Sequence, residues 1–192
     1  MLLDQDVKII GEISLSKIIH AKNVALETDW YDQKFDRPEI SLKDGRLCTL
    51  PYPIRSELQK EYSVSQEKLI EAVMPIVNEA LAYIPTFVPV RGEVVNLPPG
   101  KALTPHIDIY WFHKYSRRVH IPVYTNKLCT QIFEEREYHL EVGNAYEINN
   151  RILHSARNSG TESRIHIIVD LMSQERYEEA KQNKGLVMQV VK

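Results

Sequence analysis

The spacing of hydrophobic and polar positions changes near residue 88 of the chain. Before that point, apolar residues recur every three or four positions, which is typical of helices. After it, short apolar runs alternate with polar positions and are bounded by Pro, Gly or Asn, which is typical of strands. The pattern predicts a mostly helical or irregular N-terminal part followed by a β-rich region.

The helical pattern is strongest where a sequence-encoded cap precedes it. Ser63 followed by Gln66 resembles a capping box, so a helix is predicted to begin there. Pro75 lies inside the same pattern and predicts either a kink or a break into two helices. Helices are predicted over residues 14–23, 63–84 and 173–184.

The strand pattern predicts many short strands, an arrangement typical of an antiparallel sandwich or barrel. Pro122 lies within one of them and predicts an edge strand or a bulge there. Residues 29–53 are interpreted as a loop or as short extended pieces. Strands are predicted over residues 90–97, 104–112, 117–124, 129–133, 138–142, 145–148, 152–157 and 163–172.

Composition narrows the class of protein without defining its chemistry. The 192 residues suit one domain, and 24 basic against 26 acidic residues give a net charge of -2. This balance gives no general attraction to nucleic acid or to anionic membranes. Cys48 and Cys129 form no metal-binding pair and are expected to be free thiols. With no signal peptide or membrane span in the pattern, we expect a cytoplasmic, reduced protein.

Three residues have the chemistry of an iron site. His106 and Asp108 are two apart in a predicted strand, so their side chains point to the same face. His154 can complete the set from a distant strand. Two imidazoles and one carboxylate bind one face of an octahedral Fe(II) and leave three positions open. A His-x-Asp pair also arises by chance, and the alternative is a partly buried histidine beside a surface aspartate.

Two further motifs place cations on strand faces. Arg118 and His120 share one face of a predicted strand, and Arg164 shares another with His166 and Asp170. The planar fork of an arginine binds both oxygens of a carboxylate, so either motif can hold an anionic ligand. The alternatives are a surface salt bridge with a satisfied histidine for the first motif and a solvated strand face for the second.

Taken together, residues 94–172 resemble the aspartyl/asparaginyl β-hydroxylase family of Fe(II)- and 2-oxoglutarate-dependent oxygenases, which includes bacterial proline hydroxylases. The resemblance rests on the joint order and spacing of several motifs, whereas the first half of the chain has no comparable signature. These motifs are Pro98-Pro99-Gly100, Pro105-His106, Arg118-x-His120, Gly143, His154, Asn158, Arg164 and Ile167-Ile168-Val169-Asp170.

The resemblance implies a mainly β fold with flanking helices, a double-stranded β-helix also known as a jelly roll and similar to cupins. We expect residues 1–192 to form one oxygenase domain. In it, residues 1–87 pack on the barrel, residues 88–172 form its core and residues 173–192 form a tail.

The family also implies roles for the singled-out residues. Some animal members lack the carboxylate at the position of Asp108, whereas this sequence has it, as in the proline hydroxylase branch. The animal enzyme is anchored in a secretory membrane, and no such anchor is predicted here. The implied metal ligands and catalytic residues are His106, Asp108 and His154, and the implied 2-oxoglutarate-binding residues are Arg118, His120 and Arg164.

The expected activity is that of a dioxygenase that uses Fe(II), 2-oxoglutarate and O₂ to hydroxylate a C–H bond. An amino acid of the Asp, Asn or Pro type, free or within a peptide or protein, is the expected substrate. Arg151 and Arg157 flank His154 and are either surface residues or contacts for a substrate carboxylate. The alternatives are a nucleobase substrate, a cupin-like metal enzyme without 2-oxoglutarate, and a non-catalytic jelly-roll binding module. No basic stripe with interleaved aromatic residues supports nucleic-acid binding, and neither nucleic acid nor membrane is expected as a partner.

Overall fold

The computed structural model describes residues 3, 5–30, 46–53, 62–108 and 111–182. All of its strand pairs are antiparallel. Among the described residues, no helix has the length and apolar character that a membrane span needs. In chain order the elements are β1 (Val7–Glu12), α1 (Leu15–Glu27), β2 (Arg46–Thr49), α2 (Val64–Ala82), β3 (Phe87–Leu97), a 3₁₀ helix (Trp111–Lys114), β4 (Ser116–Tyr124), β5 (Cys129–Phe133), β6 (Arg136–Tyr138), β7 (Asn144–Ile148), β8 (His154–Asn158), β9 (Arg164–Ser173) and α3 (Gln174–Gln182).

The strands form two sheets, and the chain crosses from one sheet to the other several times. The larger sheet has the order β1-β7-β4-β9-β3-β2 and the smaller one β6-β5-β8. Isolated bridges from Ala102 to Arg157 and from His106 to His154 add the segment after β3 to the smaller sheet. This alternation is that of a double-stranded β-helix, and the predicted jelly-roll class is confirmed.

The outer face of the larger sheet is apolar and is covered by α1 and α2. Leu69, Val73 and Ile76 of α2 pack in one buried cluster with Ile165 and Ile167 of β9. Each such side chain contributes about 1.5–3 kcal/mol when it leaves water. The apolar residues of β9 that alternate with Arg164, His166 and Asp170 therefore anchor the strand, and the polar ones point to the opposite face.

Helix α2 begins where the sequence predicts. Ser63 Oγ accepts a hydrogen bond from the Gln66 backbone N–H, and the Gln66 side chain accepts one from the Ser63 N–H. Pro75 lies inside the helix, but the helix is continuous from Val64 to Ala82, so the predicted break into two helices is wrong. The turns around Pro75 bury Val73 and Ile76 against the sheet, and this packing offsets the loss of one backbone hydrogen bond.

Several predicted strands differ from the observed ones. Residues 104–112 form an isolated bridge at His106 and then enter the 3₁₀ helix, with residues 109–110 outside the described part. Because Pro105 has no N–H, this segment makes only intermittent hydrogen bonds with β8. Pro122 lies in a central strand, not at an edge, and the pairing register of β4 with β9 shifts after it, as a bulge predicts. Strand β1 was not anticipated.

The inner face of the larger sheet carries an unusual set of buried polar residues. Asp170 of β9 is paired in register with Arg91 of β3 on one side and with Arg118 of β4 on the other. One step further along the same face lies His120, and further still lie His166 and Arg164. The alternation of β4 and β9 therefore directs these side chains into the lumen of the barrel, between the two sheets.

Candidate metal and co-substrate site

The three predicted iron ligands lie together at the mouth of the lumen. The ligand atoms of His106, Asp108 and His154 are all within 4.8 Å of one another. The Asp108 carboxylate is 4.0 Å from His106 Nε2 and 3.9 Å from His154 Nε2. The His106 side chain is 44% exposed and that of His154 only 4%. The site is therefore open to solvent on one side and closed by the barrel on the other.

Strand pairing brings the two imidazoles together. The backbone N–H of His106 donates to the carbonyl of His154, and the N–H of His154 donates to the carbonyl of His106, both at 2.9 Å. In this antiparallel bridge the two side chains point to the same face, and the ring centroids are 4.4 Å apart. Asp108 follows at two residues from His106, and its N–H donates to the carbonyl of Asn150 at 3.3 Å.

Backbone carbonyls fix the tautomer of both histidines. His106 Nδ1 lies 2.8 Å from the carbonyl oxygen of Thr104, and His154 Nδ1 lies 2.9 Å from that of Ile152. Because a carbonyl oxygen only accepts, each Nδ1 carries the proton and each Nε2 keeps its lone pair. Both lone pairs are on the side of Asp108, which is the arrangement that metal-binding histidines adopt.

The protonation states also suit a metal ion. Burial lowers the pKa of His154 to about 4, so its imidazole is neutral at neutral pH. Burial alone would raise the pKa of Asp108, but the positive charge of Arg118 and a hydrogen bond from Asn150 hold it below its ordinary value. A neutral imidazole and an ionised carboxylate bind a cation without first releasing a proton.

Asp108 is oriented by two donors on a single oxygen. Arg118 Nη1 and Asn150 Nδ2 both donate to Oδ2, the latter at 3.0 Å. Both of these hydrogen bonds leave Oδ1 for another ligand, and Oδ1 is the oxygen that faces His106 Nε2. The sequence pattern did not single out Asn150 as a site residue, because nothing in its loop spacing distinguishes it from a surface asparagine.

Arg118 is the centre of a buried chain of ion pairs. Its Nε and Nη2 donate to Asp170 at 2.8 and 3.0 Å, and its Nη2 lies 3.1 Å from His113 Nε2. Arg91 donates to the other side of Asp170 at 2.8 Å and also pairs with Glu93. The structure therefore places Arg118 against carboxylates of the protein itself, including that of Asp108. The sequence analysis did not identify Arg91 and Glu93, although two charged residues on one face of an apolar strand are a signal that could have indicated them.

Arg164 is in the opposite situation. It is 2% exposed, and its Nη2 donates to Gln131 Oε1 of β5 at 2.9 Å. Among the described residues it has no carboxylate partner, and burial lowers its pKa to about 10. His120 and His166 share this part of the lumen, with ring centroids 5.9 Å apart. His120 Nδ1 and both ring nitrogens of His166 are buried with no hydrogen-bond partner among the described residues.

The buried guanidinium of Arg164 and the ring nitrogens of His120 and His166 indicate a place for an anion whose oxygens accept hydrogen bonds. Burying a charge without a partner is costly, and proteins tolerate it mainly where a ligand supplies the partner. The structure brings Arg164 and His120 to one side of this space, and Arg118 lies one step along β4 towards the metal ligands. The arrangement therefore has an anion-binding end deep in the lumen and a cation-binding end at its mouth.

A candidate two-His-one-carboxylate cluster at the mouth of a jelly-roll barrel is typical of Fe(II)-dependent oxygenases. The sequence matches the aspartyl/asparaginyl β-hydroxylase family over residues 58–174, so the chain belongs to this family and is a 2-oxoglutarate-dependent dioxygenase that uses Fe(II). The match begins well before residue 94 and includes helix α2, in which the sequence analysis found no motif of the family.

Solved structures agree on the fold at low sequence identity. The viral collagen prolyl hydroxylase vCPH of Paramecium bursaria Chlorella virus-1, in complex with 2-oxoglutarate, has a TM-score of 0.55 at 9% identity, covering 88% of this chain and 97% of that one. AviO1 of Streptomyces viridochromogenes has a TM-score of 0.54 at 13% identity, covering 88% and 90%. The nickel complex of the non-heme monooxygenase ThoJ has 0.54 at 11%, covering 88% and 74%. No curated protein sequence matches significantly.

Proposed function

We propose that the protein hydroxylates a C–H bond of an amino-acid residue of the Asp, Asn or Pro type, free or within a peptide or protein. The observation that carries the proposal is the pairing of two sites in one lumen. His106, Asp108 and His154 converge at the mouth, and Arg164 lies buried without a carboxylate partner among the described residues deeper inside. The family supports a substrate built from amino acids.

His106, Asp108 and His154 fit Fe(II) as its protein ligands. Two Nε2 lone pairs and the Oδ1 of a carboxylate supply three donors of the types that non-heme iron takes. The Nδ1 hydrogen bonds to Thr104 and Ile152 hold the two rings in place. When bound, the iron supplies the activation of O₂ that converts 2-oxoglutarate to succinate and CO₂ and inserts one oxygen atom into the substrate.

Arg164 fits the distal carboxylate of 2-oxoglutarate. Within the described part of the chain its guanidinium has one hydrogen bond, to Gln131, so most of its donors remain for a ligand. In a buried space a charge-assisted pair of this kind is strong and sets the orientation of the bound molecule. His120 offers a ring nitrogen to the same ligand.

Arg118 completes the proposed co-substrate set from the other direction. Asp170 fixes its Nε and Nη2, while its Nη1 points at Asp108 beside the metal position. The residue thereby brings a positive charge to the place where the near carboxylate of 2-oxoglutarate would bind. Its roles as a partner of Asp108 and as a contact of the co-substrate are compatible, because Nη1 carries two N–H donors and Asp108 is its acceptor for one of them.

Burial of the lumen has a chemical role of its own. His154, Arg164, His120 and Asp170 are each no more than 5% exposed, so bulk water has little access behind the metal position. Electrostatic interactions are stronger where water is excluded. The side of His106 remains exposed, and this is the side from which a substrate would approach.

The proposal is tested by measuring succinate formed from 2-oxoglutarate with anaerobically added Fe(II), ascorbate and O₂. The assay is run without substrate and then with a panel of amino acids and peptides. Iron-dependent succinate that rises with one member of the panel supports the proposal and begins to name the substrate. Binding of 2-oxoglutarate without any succinate would instead support a non-catalytic jelly roll and would contradict the proposed activity.

A further inference from the structure

We propose that a basic cleft beside the metal site binds the acidic side chains of a peptide or protein substrate, an inference that rests on the proposed function. The cleft has a volume of about 280 Å³ and lies where β3 and β4 begin and β9 ends. Among the described residues that line it, none is Asp or Glu. Its four cationic residues are Lys114, Arg117, Arg151 and Arg176.

Two of the four cations have no carboxylate partner among the described residues. Arg117 is paired with Glu147, and Arg176 with Glu179 at 2.8 Å. Lys114 is exposed and unpaired within the described part of the chain. In the part of the chain that the structure describes, the Arg151 guanidinium donates to the backbone carbonyls of His113 and Ser116, at 3.2 and 3.3 Å, and to no carboxylate. In a chain with a net charge of -2, this local excess of positive charge favours an anionic ligand.

The cleft and the metal site share a wall. Arg151 directly follows Asn150, whose Nδ2 donates to Asp108. The carbonyl that Arg151 binds belongs to His113, whose imidazole contacts Arg118, the ion-pair partner of Asp108. The residues that line the cleft are therefore joined directly to those that orient Asp108, which places the cleft next to the candidate metal ligands.

The distribution of charge favours an acidic peptide segment over a single carboxylate or a nucleic acid. The two cations without a carboxylate partner in the described part, Lys114 and Arg151, lie on separate segments of the cleft, so they suit carboxylates from different residues of one peptide. The guanidiniums of Arg117 and Arg176 stand over the rings of Phe87 and Tyr115, at 4.7 and 5.4 Å from their centroids. They occupy ring faces on which a nucleobase would stack. Carboxylates, which need cations and no stacking surface, suit the site better.

The test is a binding measurement on the full chain, loaded anaerobically with Fe(II) and 2-oxoglutarate. Fluorescence anisotropy compares a labelled peptide rich in Asp and Glu with its isosteric Asn and Gln version and with a single-stranded oligonucleotide. We expect the acidic peptide to bind more tightly than both, and its affinity to fall with added salt. Lys114→Glu should weaken this binding at least about fivefold, because it removes one attraction and adds one repulsion.

The control variant is Lys68→Gln, which removes an exposed lysine on α2 and should leave peptide affinity unchanged. Arg151→Gln, combined with Lys114→Gln, gives a second variant whose fold is checked by thermal unfolding. Equal affinity for the acidic and neutral peptides, tighter binding of the oligonucleotide, or no effect of Lys114→Glu would overturn the inference. Because binding is measured without turnover, a protein that forms no succinate yet prefers the acidic peptide would refute the proposed function and leave the cleft assignment standing.

Discussion

The two ends of the lumen differ in whether their buried charges have ion-pair partners. Near the mouth, Asp170 is held by both Arg91 and Arg118, so that every charge has a partner within the protein. At the deep end, Arg164 is equally buried but has only the neutral Gln131 as a partner among the described residues. Buried charges that are all paired within the protein are typical of a structural support. A buried charge without an ion-pair partner is typical of a ligand site. These contacts indicate a rigid support beside the candidate metal ligands near the mouth, and a guanidinium that is available to a ligand at the deep end.

The largest effect is expected at the metal ligands. His154→Ala should reduce iron-dependent succinate formation by more than about a hundredfold, because even outer residues that orient a ligand change metal affinity by 10–100-fold. The loss should be accompanied by loss of stoichiometric Fe(II) binding, measured by anaerobic equilibrium dialysis. His20→Ala, an exposed histidine of α1, is the matched control. Full iron binding by the His154 variant would refute the ligand assignment.

The second largest effect is expected when the ion pairs of Asp170 with Arg91 and Arg118 are broken. Asp170→Asn removes the carboxylate between two buried arginines and should lower the free energy of unfolding by about 3–5 kcal/mol. Glu137→Gln breaks the exposed pair with Arg157 and should cost no more than about 1 kcal/mol. Chemical denaturation measures both. If the two variants lose equally little, the network near the mouth does not have the supporting role assigned to it.

Replacing Arg164 at the deep end is expected to change the free energy of unfolding little and the binding of 2-oxoglutarate more. Arg164→Met should leave the metal-free, ligand-free protein within about 1 kcal/mol of the parent, since an unpaired buried charge is replaced by an apolar chain of similar length. The same variant should need at least about tenfold more 2-oxoglutarate. Arg157→Met, at an exposed position, is the control. A large loss of stability with an unchanged 2-oxoglutarate requirement would mean that Arg164 is structural.

The smallest effect concerns pH. Burial holds the pKa of His120 and of His166 well below the ordinary 6.5, so neither takes a proton in the folded protein at mildly acidic pH. The unfolded chain does take those protons below about pH 6.5. The folded protein therefore loses stability as pH falls, by about 1 kcal/mol for each histidine between pH 7.5 and 5.5. Urea unfolding of the metal-free protein should show this slope, and His166→Gln should flatten it. An unchanged slope in that variant would contradict the assigned burial.

Much of the fold could be predicted from the sequence, because alternation in β4 and β9 separates an apolar face from one that carries Arg118, His120 and Arg164. The capping box at Ser63 likewise defined the start of α2. Other features depend on tertiary contacts. The ion pair between Arg118 and Asp108 joins residues ten apart that meet only after the chain has turned through the 3₁₀ helix. Strand β1 was not predicted either, and its partner among the described strands is β7, more than a hundred residues away.

The candidate site was predicted in composition but not in organisation. The motif order identified His106, Asp108 and His154, and the structure brings them together. It named both Arg118 and Arg164 as 2-oxoglutarate-binding residues, however, and only the structure shows that Arg118 is paired with Asp170 and Asp108 whereas Arg164 contacts the neutral Gln131. Whether a buried charge has a partner depends on the neighbouring strands, and β3 and β5 supply those neighbours from distant parts of the sequence.

The most direct test of the two-ended lumen is an anaerobic titration of the Fe(II)-loaded protein with 2-oxoglutarate, followed by the visible charge-transfer absorption of the chelated co-substrate. We expect this band to saturate as 2-oxoglutarate is added to the parent protein. In Arg164→Met the same band should reach half-saturation at a roughly tenfold or higher 2-oxoglutarate concentration. In His154→Ala no band should form. A parent protein that binds stoichiometric Fe(II) but develops no band would contradict the central claim. So would an Arg164→Met variant with the midpoint of the parent.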